Sequence, residues 1–310
     1  MFEKVNRHHP DKIADRIAGA IVDLAYSKSQ NPKVACEVLI GHGNCFIINE
    51  TSEPLMEFEV CDIVRRIAGE GIQVRYMETR QDSHLSENQV GKIRCGDNGI
   101  FKGVRPTLEE ELLCYFASRM DYFFDSDGKY IINWHDGSID LIICQSAPSE
   151  RGIAKLKSDL KLNPDKECLE DLIEKVASSL VLYWLACKPS IPGDIAVNLT
   201  INPLGDWTGG TNVDTGATNR KLGSDMGRAV TGGGLHGKDL SKADVSVNIF
   251  AHIMAEHMKS TKEYLCAIGD EKINDIDYDK IVDIARSYVR SIGGFEKLAE
   301  YGLLMPENPI

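Results

Sequence analysis

The spacing of apolar residues along the chain switches between the period of a helix and the period of a strand. From Pro10 onward isoleucines recur at helical spacing, and proline suits the first helical position because its missing N–H would be unpaired there in any case. Two strands are predicted at 33–40 and 45–50, joined by a Gly-His-Gly-Asn turn, and a second helix at 54–69. The chain therefore opens with a helix, a hairpin and a helix.

This order of elements returns twice further along the chain. We predict further helices at 108–124, 166–186, 241–259 and 278–292, and further strands at 130–135, 138–146, 194–202 and 263–268. Helix–hairpin–helix occurs clearly twice and a third time in reduced form, which indicates an α+β protein of three pseudo-repeated sheet-and-helix units, the third reduced. We expect these units at 1–95, 96–195 and 196–310, interleaved in space.

Composition narrows the class of protein. The formal net charge of −12 argues against general nucleic-acid binding, because that requires a basic face. No apolar run approaches the ~20 residues that span a bilayer, and the amino terminus lacks a signal-peptide pattern. The nine cysteines are scattered without a CxxC pair, as is typical of small buried side chains in a reducing compartment. We expect a cytoplasmic protein that binds neither nucleic acid nor membrane.

The segment His8-His9-Pro10-Asp11-Lys12 combines polar residues with the start of the first helix. A helix amino terminus presents unpaired N–H groups and a partial positive charge, so it favours phosphate. Asp11 is suited to hold magnesium there, Lys12 to neutralise phosphate and His9 to donate a hydrogen bond. Taken alone, the segment is better explained as a plain capped helix start, with Asp11 placed to suit the helix dipole.

A second polar segment, 203–244, contains ten glycines, which no regular helix or strand would tolerate. A loop of this length is usually functional or disordered, and its aliphatic and charged residues at defined places argue against disorder. Between Arg220 and Lys242 it carries five basic residues against two aspartates, which suggests an anionic ligand. The Walker A pattern is absent, so a P-loop mechanism is excluded.

Several motifs together resemble the methionine adenosyltransferases (S-adenosylmethionine synthetases), over most of the chain. The matching segments, in the family's order, are HHPDKIADRIAGAIVD from His8, VACEV from Val34, CGDNG from Cys95, DGK from Asp127, INPLGDW from Ile201, VDTGATNRK from Val213 and GGGLHGKDLSKAD from Gly232. The resemblance implies transfer of the adenosyl group of ATP to the sulfur of L-methionine, followed by hydrolysis of the triphosphate to pyrophosphate and phosphate. A thioether sulfur needs no general base, so such a reaction depends on positioning and on stabilising the leaving charge.

The resemblance also implies roles for individual residues. Two Mg²⁺ ions would be held by Asp11 and Asp244, and K⁺ by Glu37. The catalytic residues implied are His9, Lys129, Arg220, Lys221 and Lys238. The ATP-binding residues implied are His9, Lys12, Asp97, Asp127, Lys129, Trp207, Arg220, Lys221, Leu235, Lys238 and Lys242. The methionine-binding residues implied are Glu50, Gln81, Asp214 and Lys242. The family's active site forms between two subunits, so a homodimer is implied.

Plain structural roles stay open for some of these residues. Glu37 is compatible with a solvent-facing strand position, Gln81 with an ordinary loop and Trp207 with a packing aromatic. The sequence also departs from the family. Arg7-His8 replaces Glu-Gly before the histidine, Val245 stands where an arginine usually follows the metal aspartate, the lid-like segment between Gln81 and Gly96 is shorter, and strands after Gly269 are missing.

Two other functions remain open from the sequence. One is a different ATP-cleaving enzyme on the same scaffold, which would use another thioether or only hydrolyse triphosphate. Glu50 and Asp214 argue against it, because a triphosphatase needs no amino-acid pocket. The other is a non-catalytic nucleotide-binding subunit, which the presence of Asp11, Lys129 and Asp244 argues against.

Overall fold

The computed structural model describes residues 1–135, 137–191 and 195–306 and has mixed α+β architecture. In chain order its elements are β1 (Phe2–Val5), α1 (Pro10–Lys28), β2 (Val34–Gly41), β3 (Asn44–Thr51), α2 (Glu57–Ala68), β4 (Gln73–Thr79), α3 (Ser83–Glu87), β5 (Gly99–Gly103), α4 (Leu108–Phe124), β6 (Gly128–His135), β7 (Ser138–Gln145), α5 (Glu150–Asp159), α6 (Leu169–Ala186), β8 (Ala196–Ile201), β9 (Gly216–Ala217), α7 (Leu222–Met226), α8 (Ala243–Met258), β10 (Lys262–Cys266), β11 (Lys272–Ile273), β12 (Ile276–Asp277), α9 (Tyr278–Ile292) and α10 (Phe295–Tyr301).

The first sheet has the strand order β4-β3-β2-β9. The hairpin β2–β3 forms its centre, β4 lies parallel to β3, and the short strand β9 lies antiparallel to β2. The alternating burial of β2 and β3 turns side chains such as Val38 and Ile47 towards the core, and α1 packs against that face. On the opposite face of the hairpin, Leu39, Phe46 and Ile48 are exposed among the residues that the structure describes.

The second sheet repeats this topology with the order β1-β6-β7-β8. The hairpin β6–β7 forms its centre, β8 lies parallel to β7, and β1 lies antiparallel to β6 at the edge. The preceding helix α4 starts with a capping box, in which the Thr107 hydroxyl accepts from the Glu110 N–H at 3.2 Å and Glu110 Oε2 accepts from the Thr107 N–H at 2.7 Å.

The third unit retains half of this arrangement. Strand β10 follows α8 and pairs antiparallel with β5, so an edge strand and a first hairpin strand are present. In place of a second long strand and a parallel strand, the described residues form only the small hairpin β11–β12 before α9. The prediction of three related units with a reduced third unit is thus confirmed.

Each sheet takes its edge strand from a distant part of the chain. The edge strand β9 of the first sheet comes from the glycine-rich segment, β1 of the second sheet comes from the amino terminus, and β5 of the third precedes α4. These crossings bring the amino-terminal and glycine-rich segments together. The unit boundaries at 95 and 195 stay predictions.

Two hydrophobic cores hold the elements in place. One joins α1 and the first sheet to α8, α9 and α10, and the other lies between the second sheet, α4 and α6. No helix in the described ranges is long and apolar enough to cross a membrane.

Candidate functional site

The amino terminus of α1 is the base of a first polar cluster. His9 caps the helix, since its Nδ1 accepts a hydrogen bond from the Asp11 N–H at 3.2 Å. Asp11 is 2% exposed, and its Oδ1 accepts from the Ala217 N–H at 2.9 Å. A Cβ on Gly216 would lie 2.0 Å from the Pro10 carbonyl oxygen, so only glycine allows β9 to approach the helix start this closely.

The imidazole of His9 is held in its neutral form. Burial, reinforced by the charges of Lys221 and Lys129, lowers its pKa to about 3. Because Nδ1 accepts a hydrogen bond, the single proton of the neutral ring lies on Nε2. His9 is therefore able to donate a hydrogen bond from Nε2 at physiological pH.

Two lysines and an arginine surround this helix start. Lys129 on β6 and Lys221 bind the two carboxylate oxygens of Glu3 at 3.1 and 3.2 Å. Burial alone would raise the pKa of Glu3, but its hydrogen bonds and ion pairs with the two lysines lower it. Arg220 Nε lies 3.5 Å from Asp11 Oδ1.

Glu3 was not recognised from the sequence. It lies on β1, a four-residue edge strand whose position depends on pairing with the distant strand β6. A carboxylate so near the amino terminus carries no local motif, and only the fold shows that it joins Lys129 and Lys221.

A pair of aspartates borders the cluster. Asp127 is 4% exposed, and its Oδ2 accepts from the Gly210 N–H at 2.6 Å while its Oδ1 is buried without a hydrogen bond. Burial, with smaller effects from Asp214 and Asp11, raises the pKa of Asp127 to about 7. Asp214 is exposed and its charge acts on both His9 and Asp127. Trp207 is half-buried beside Ser146 on the same side.

A second cluster lies at the start of α8. Lys238 forms an ion pair with Asp244, which is 1% exposed and also accepts from the Gly234 N–H at 3.2 Å. Burial and the charge of Asp244 raise the pKa of Asp97, while Lys238 and Lys242 oppose this shift. The structure therefore brings together Asp97, Lys238, Lys242 and Asp244 at the start of α8.

The two clusters lie at different points along strand β2. In the first cluster, Ala217 binds Asp11 and pairs with Leu39. In the second, Lys238 binds Asp244 and pairs with Ala35, four residues earlier on the strand. Four residues of extended chain span about 13 Å. Within the described ranges no ion pair or hydrogen bond joins Asp11, Arg220 or Lys221 to Lys238 or Asp244.

Glu37 and Glu50 lie on the outer face of the first sheet. Glu37 accepts a hydrogen bond from the Thr218 hydroxyl, which places it near the first cluster. Glu50 on β3 pairs with Ala35. Lys238 pairs with Ala35 from the other side of β2, so Glu50 lies near the second cluster. Gln81 is 8% exposed and lines a cleft of about 690 Å³ after β4.

Lys12 does not reach either cluster. Its ammonium is completely buried, 2.8 Å from Asp225 Oδ1 and 3.1 Å from Asp15 Oδ2. Burial alone would lower the pKa of Lys12, but these two carboxylates raise it. Asp15, Asp225 and His236 bring their ligand atoms within 4.8 Å of one another, as a metal site would, but the Lys12 ammonium lies among them. The phosphate contact expected of Lys12 is not seen, because buried carboxylates bind its charge.

Four other residues of interest also point away from the clusters. Leu235 and Val245 are fully buried in the core, so Leu235 offers a ligand only its backbone. Arg7 Nε lies 3.0 Å from Asp121 Oδ2, and His8 Nε2 lies 3.3 Å from the other oxygen of that carboxylate. The change of charge at Arg7 and His8 is therefore balanced by Asp121 and does not act on the phosphate side.

Comparisons with known proteins show which sequences and structures the chain is similar to. The profile of the family "S-adenosylmethionine synthetase, N-terminal domain" matches residues 1–92. The chain is 27% identical over 314 residues to the S-adenosylmethionine synthase of Helicobacter pylori, covering 86% of this chain and 77% of that protein. It is 28% identical over 286 residues to the S-adenosylmethionine synthase of Mesoplasma florum, covering 83% and 74%.

A solved structure shows the same fold. The structure described as an unusual S-adenosylmethionine synthetase from Campylobacter jejuni superposes with a TM-score of 0.71, covering 98% of this chain and 94% of that one at 18% identity. The resemblance read from the sequence motifs is thereby confirmed: residues 1–92 match the family's N-terminal domain, and the chain is similar to S-adenosylmethionine synthases over most of its length.

Proposed function

We propose that the protein synthesises S-adenosylmethionine from ATP and L-methionine. The methionine sulfur attacks the 5′ carbon of ATP, the bond from that carbon to the triphosphate oxygen breaks, and the triphosphate is hydrolysed to pyrophosphate and phosphate. The observation that carries the proposal is the first cluster, where His9 Nε2–H, Lys129, Arg220 and Lys221 converge on one helix start.

The chemistry of this cluster suits a leaving triphosphate. The attacking sulfur carries its own lone pair and requires no base, so the enzyme must place the reactants and stabilise the departing charge. Neutral His9 would donate from Nε2 to the leaving oxygen. Lys129, Arg220 and Lys221 would bind phosphate oxygens, and Lys238 would do so from the second cluster.

The other predicted residues would orient the two substrates. Asp97, Asp127 and Trp207 would contact the nucleoside, with the Leu235 backbone beside it. Glu50, Gln81, Asp214 and Lys242 would contact methionine, whose ammonium and carboxylate need partners of both signs. Lys12 would act indirectly, through the buried carboxylates that hold the helix start.

The donor atoms present fit two magnesium ions. In the described structure Oδ1 of Asp11 and Oδ2 of Asp244 accept hydrogen bonds, whereas the second oxygen of each carboxylate accepts none. Hard oxygen donors of this kind are what Mg²⁺ takes, together with phosphate oxygens and water. Magnesium would neutralise phosphate charge there. Glu37, a carboxylate beside the Thr218 hydroxyl, would contribute to a K⁺ site.

Two features support a homodimer with active sites between the subunits. Asp11 and Asp244 belong to clusters beside positions of β2 that lie four residues, about 13 Å, apart along the strand, and no hydrogen bond or ion pair between described residues joins the two clusters. The outer face of the first sheet, which carries Glu37 and Glu50, also exposes Leu39 (45%), Phe46 (45%), Ile48 (53%) and Met77 (61%). An apolar face of this kind usually marks an interface. The first cluster of one subunit would then face the second cluster of its partner.

The proposal is tested by incubating the protein with ATP, Mg²⁺, K⁺ and L-methionine and separating the products by chromatography. We expect S-adenosylmethionine, pyrophosphate and phosphate in equal amounts, with ATP consumed only when methionine is present. Lys221→Met should lose most of this activity and Lys157→Met, an exposed lysine on α5, should keep it.

Other results would point to other functions. Triphosphate release that is independent of methionine would indicate a different ATP-cleaving enzyme on this scaffold. Binding of ATP without turnover, in a protein whose circular dichroism and thermal unfolding show it to be folded, would indicate a non-catalytic subunit.

A further inference from the structure

Asn219 has an unusual backbone conformation in the glycine-rich segment. Its φ of +60° lies in the left-handed region, which non-glycine residues other than asparagine and aspartate rarely adopt. The Asn219 N–H donates to Asp15 Oδ1 at 2.8 Å. This bond fixes the residue to α1, immediately before Arg220 and Lys221.

The side chain of Asn219 forms two hydrogen bonds with the backbone of His236. Asn219 Oδ1 accepts from the His236 N–H at 3.0 Å, and Asn219 Nδ2 donates to the His236 carbonyl oxygen at 3.2 Å. One amide thus binds both polar groups of a single residue, as a neighbouring strand would. A Cβ on Gly234 would lie 2.7 Å from Asn219 Cγ, so the amide also rests directly on the glycine-rich backbone.

The His236 side chain is anchored from the other direction. Its Nε2 lies 2.9 Å from Asp225 Oδ2 and 3.4 Å from the Lys12 ammonium, and all three side chains are almost completely buried. His236 therefore has little freedom to move, and what binds its backbone is bound to a rigid part of the core. His236 lies two positions before Lys238, which forms an ion pair with Asp244.

We propose that Asn219 is a positioning residue that fixes the first cluster relative to the second. Its effect on catalysis rests on the proposed function, whereas its effect on segment mobility does not. Residues 232–238 include four glycines, which lose the most conformational freedom on ordering. Without the Asn219 amide, the described residues give the His236 N–H and carbonyl oxygen no other hydrogen-bond partner, so the backbone that carries Lys238 would lose its attachment to α1.

The test compares variants that separate the amide from the backbone conformation. Asn219→Gly keeps access to positive φ and removes only the side chain. Asn219→Asp keeps an acceptor for the His236 N–H and loses the donor to its carbonyl oxygen. Asn274→Gly is the matched control, since Asn274 has a φ of +46° in the small β11–β12 turn away from both clusters.

We expect Asn219→Gly to keep the thermal unfolding temperature close to that of Asn274→Gly and to lower kcat by roughly ten- to a hundred-fold, the effect of misplaced groups at a reacting centre. KM for ATP and methionine should change much less than kcat, and Asn219→Asp should recover part of the loss. In hydrogen exchange followed by NMR, the His236 amide should lose protection in Asn219→Gly and keep it in Asn274→Gly.

Equal kcat values and equal His236 protection in Asn219→Gly and Asn274→Gly would overturn the proposal. If the wild-type protein makes no S-adenosylmethionine, the proposed function fails, and the positioning role is decided instead by titration with tripolyphosphate and Mg²⁺. Weaker tripolyphosphate binding in Asn219→Gly than in Asn274→Gly would support the role of the amide, and equal binding would refute it.

Discussion

The carboxyl group of Asp127 lies in surroundings that oppose its ionisation. Burial, with Asp214 and Asp11 nearby, raises its pKa from 3.8 to about 7, although the Gly210 N–H partly offsets this. Because the folded-state pKa lies above the unfolded value, ionisation destabilises the folded protein. This cost is absent below pH ~4, grows as the pH rises towards about 7 and is complete above it.

Asp127→Asn should therefore stabilise the protein at pH 8 more than at pH 4. The amide can still accept from the Gly210 N–H and carries no charge at any pH. Each unit of pKa shift corresponds to about 1.4 kcal/mol, so the gain at pH 8 is a few kcal/mol at most. Urea unfolding at the two pH values measures this gain in stability. An equal gain at pH 4 and pH 8 would contradict a raised pKa of Asp127.

Glu3 competes with any incoming anion for Lys129 and Lys221. Glu3→Gln removes that competition and keeps the size of the side chain, so KM for ATP should fall by roughly two- to five-fold, which corresponds to an ion pair of ~0.5–1 kcal/mol. Initial rates at varied ATP concentration test this. Glu263→Gln, an exposed carboxylate on β10 whose only ion pair is with Lys102 among the described residues, is the control that should leave KM unchanged. A raised KM in Glu3→Gln would mean that Glu3 organises the lysines rather than competing for them.

At the scale of one element, α1 has three features. It has a cap at its amino terminus, charged residues on two of its sides and an apolar stripe that faces the core. His9 and Asp11 at its first turn face the site, whereas Lys12 and Asp15 face inward to Asp225. The sequence placed His9, Asp11 and Lys12 together because they are adjacent. The helix separates them, since successive residues project about 100° apart around its axis.

Lys12→Met should consequently reduce stability far more than substrate affinity. It would leave Asp15 and Asp225 as buried carboxylates without their cation, at a cost of about 3–5 kcal/mol. Lys28→Met on the same helix removes a more exposed pair with Glu59 and should cost ~1 kcal/mol or less. Chemical unfolding compares the two variants. KM for ATP in folded Lys12→Met should stay close to the wild-type value, and a large rise in it would restore Lys12 as a phosphate ligand.

The elements that sequence periodicity predicted correctly are those with a long apolar stripe. Periodicity predicted the following elements with bounds close to those observed: helices α1, α4, α6, α8 and α9 and the hairpins β2–β3 and β6–β7. The short edge strands β1, β5 and β9 were missed, because their existence depends on pairing with distant strands and not on their own composition. Helix α5 was missed because only Gly152 and Leu156 of its ten residues are buried.

The candidate site follows the same division. The sequence pointed to residues such as Asp11, Lys129 and Asp244, because the resemblance to the family lies in short contiguous segments that contain them. The residues around them could not be identified in this way. Glu3 binds a partner more than a hundred residues away, and Asn219 binds a residue at the far end of a long loop. The separation of the two clusters by β2 also required the fold.

At the scale of the whole molecule, the proposal that two subunits share each active site can be tested by mixing variants of the two clusters. Asp11→Ala inactivates the first cluster and Asp244→Ala inactivates the second, so each variant alone should be nearly inactive. In a mixed dimer, one active site receives both substitutions, and the other combines the intact first cluster of the Asp244→Ala chain with the intact second cluster of the Asp11→Ala chain.

Unfolding the two variants together and refolding them should therefore restore activity. Random pairing makes half of the dimers mixed, each with one intact site of two, so we expect about one quarter of the wild-type rate. Adding Ile48→Lys to both chains places a charge on the exposed face of the first sheet, which should yield monomers in sedimentation and abolish the recovery. If each chain instead formed a complete active site by itself, every site would carry one substitution and mixing would restore nothing.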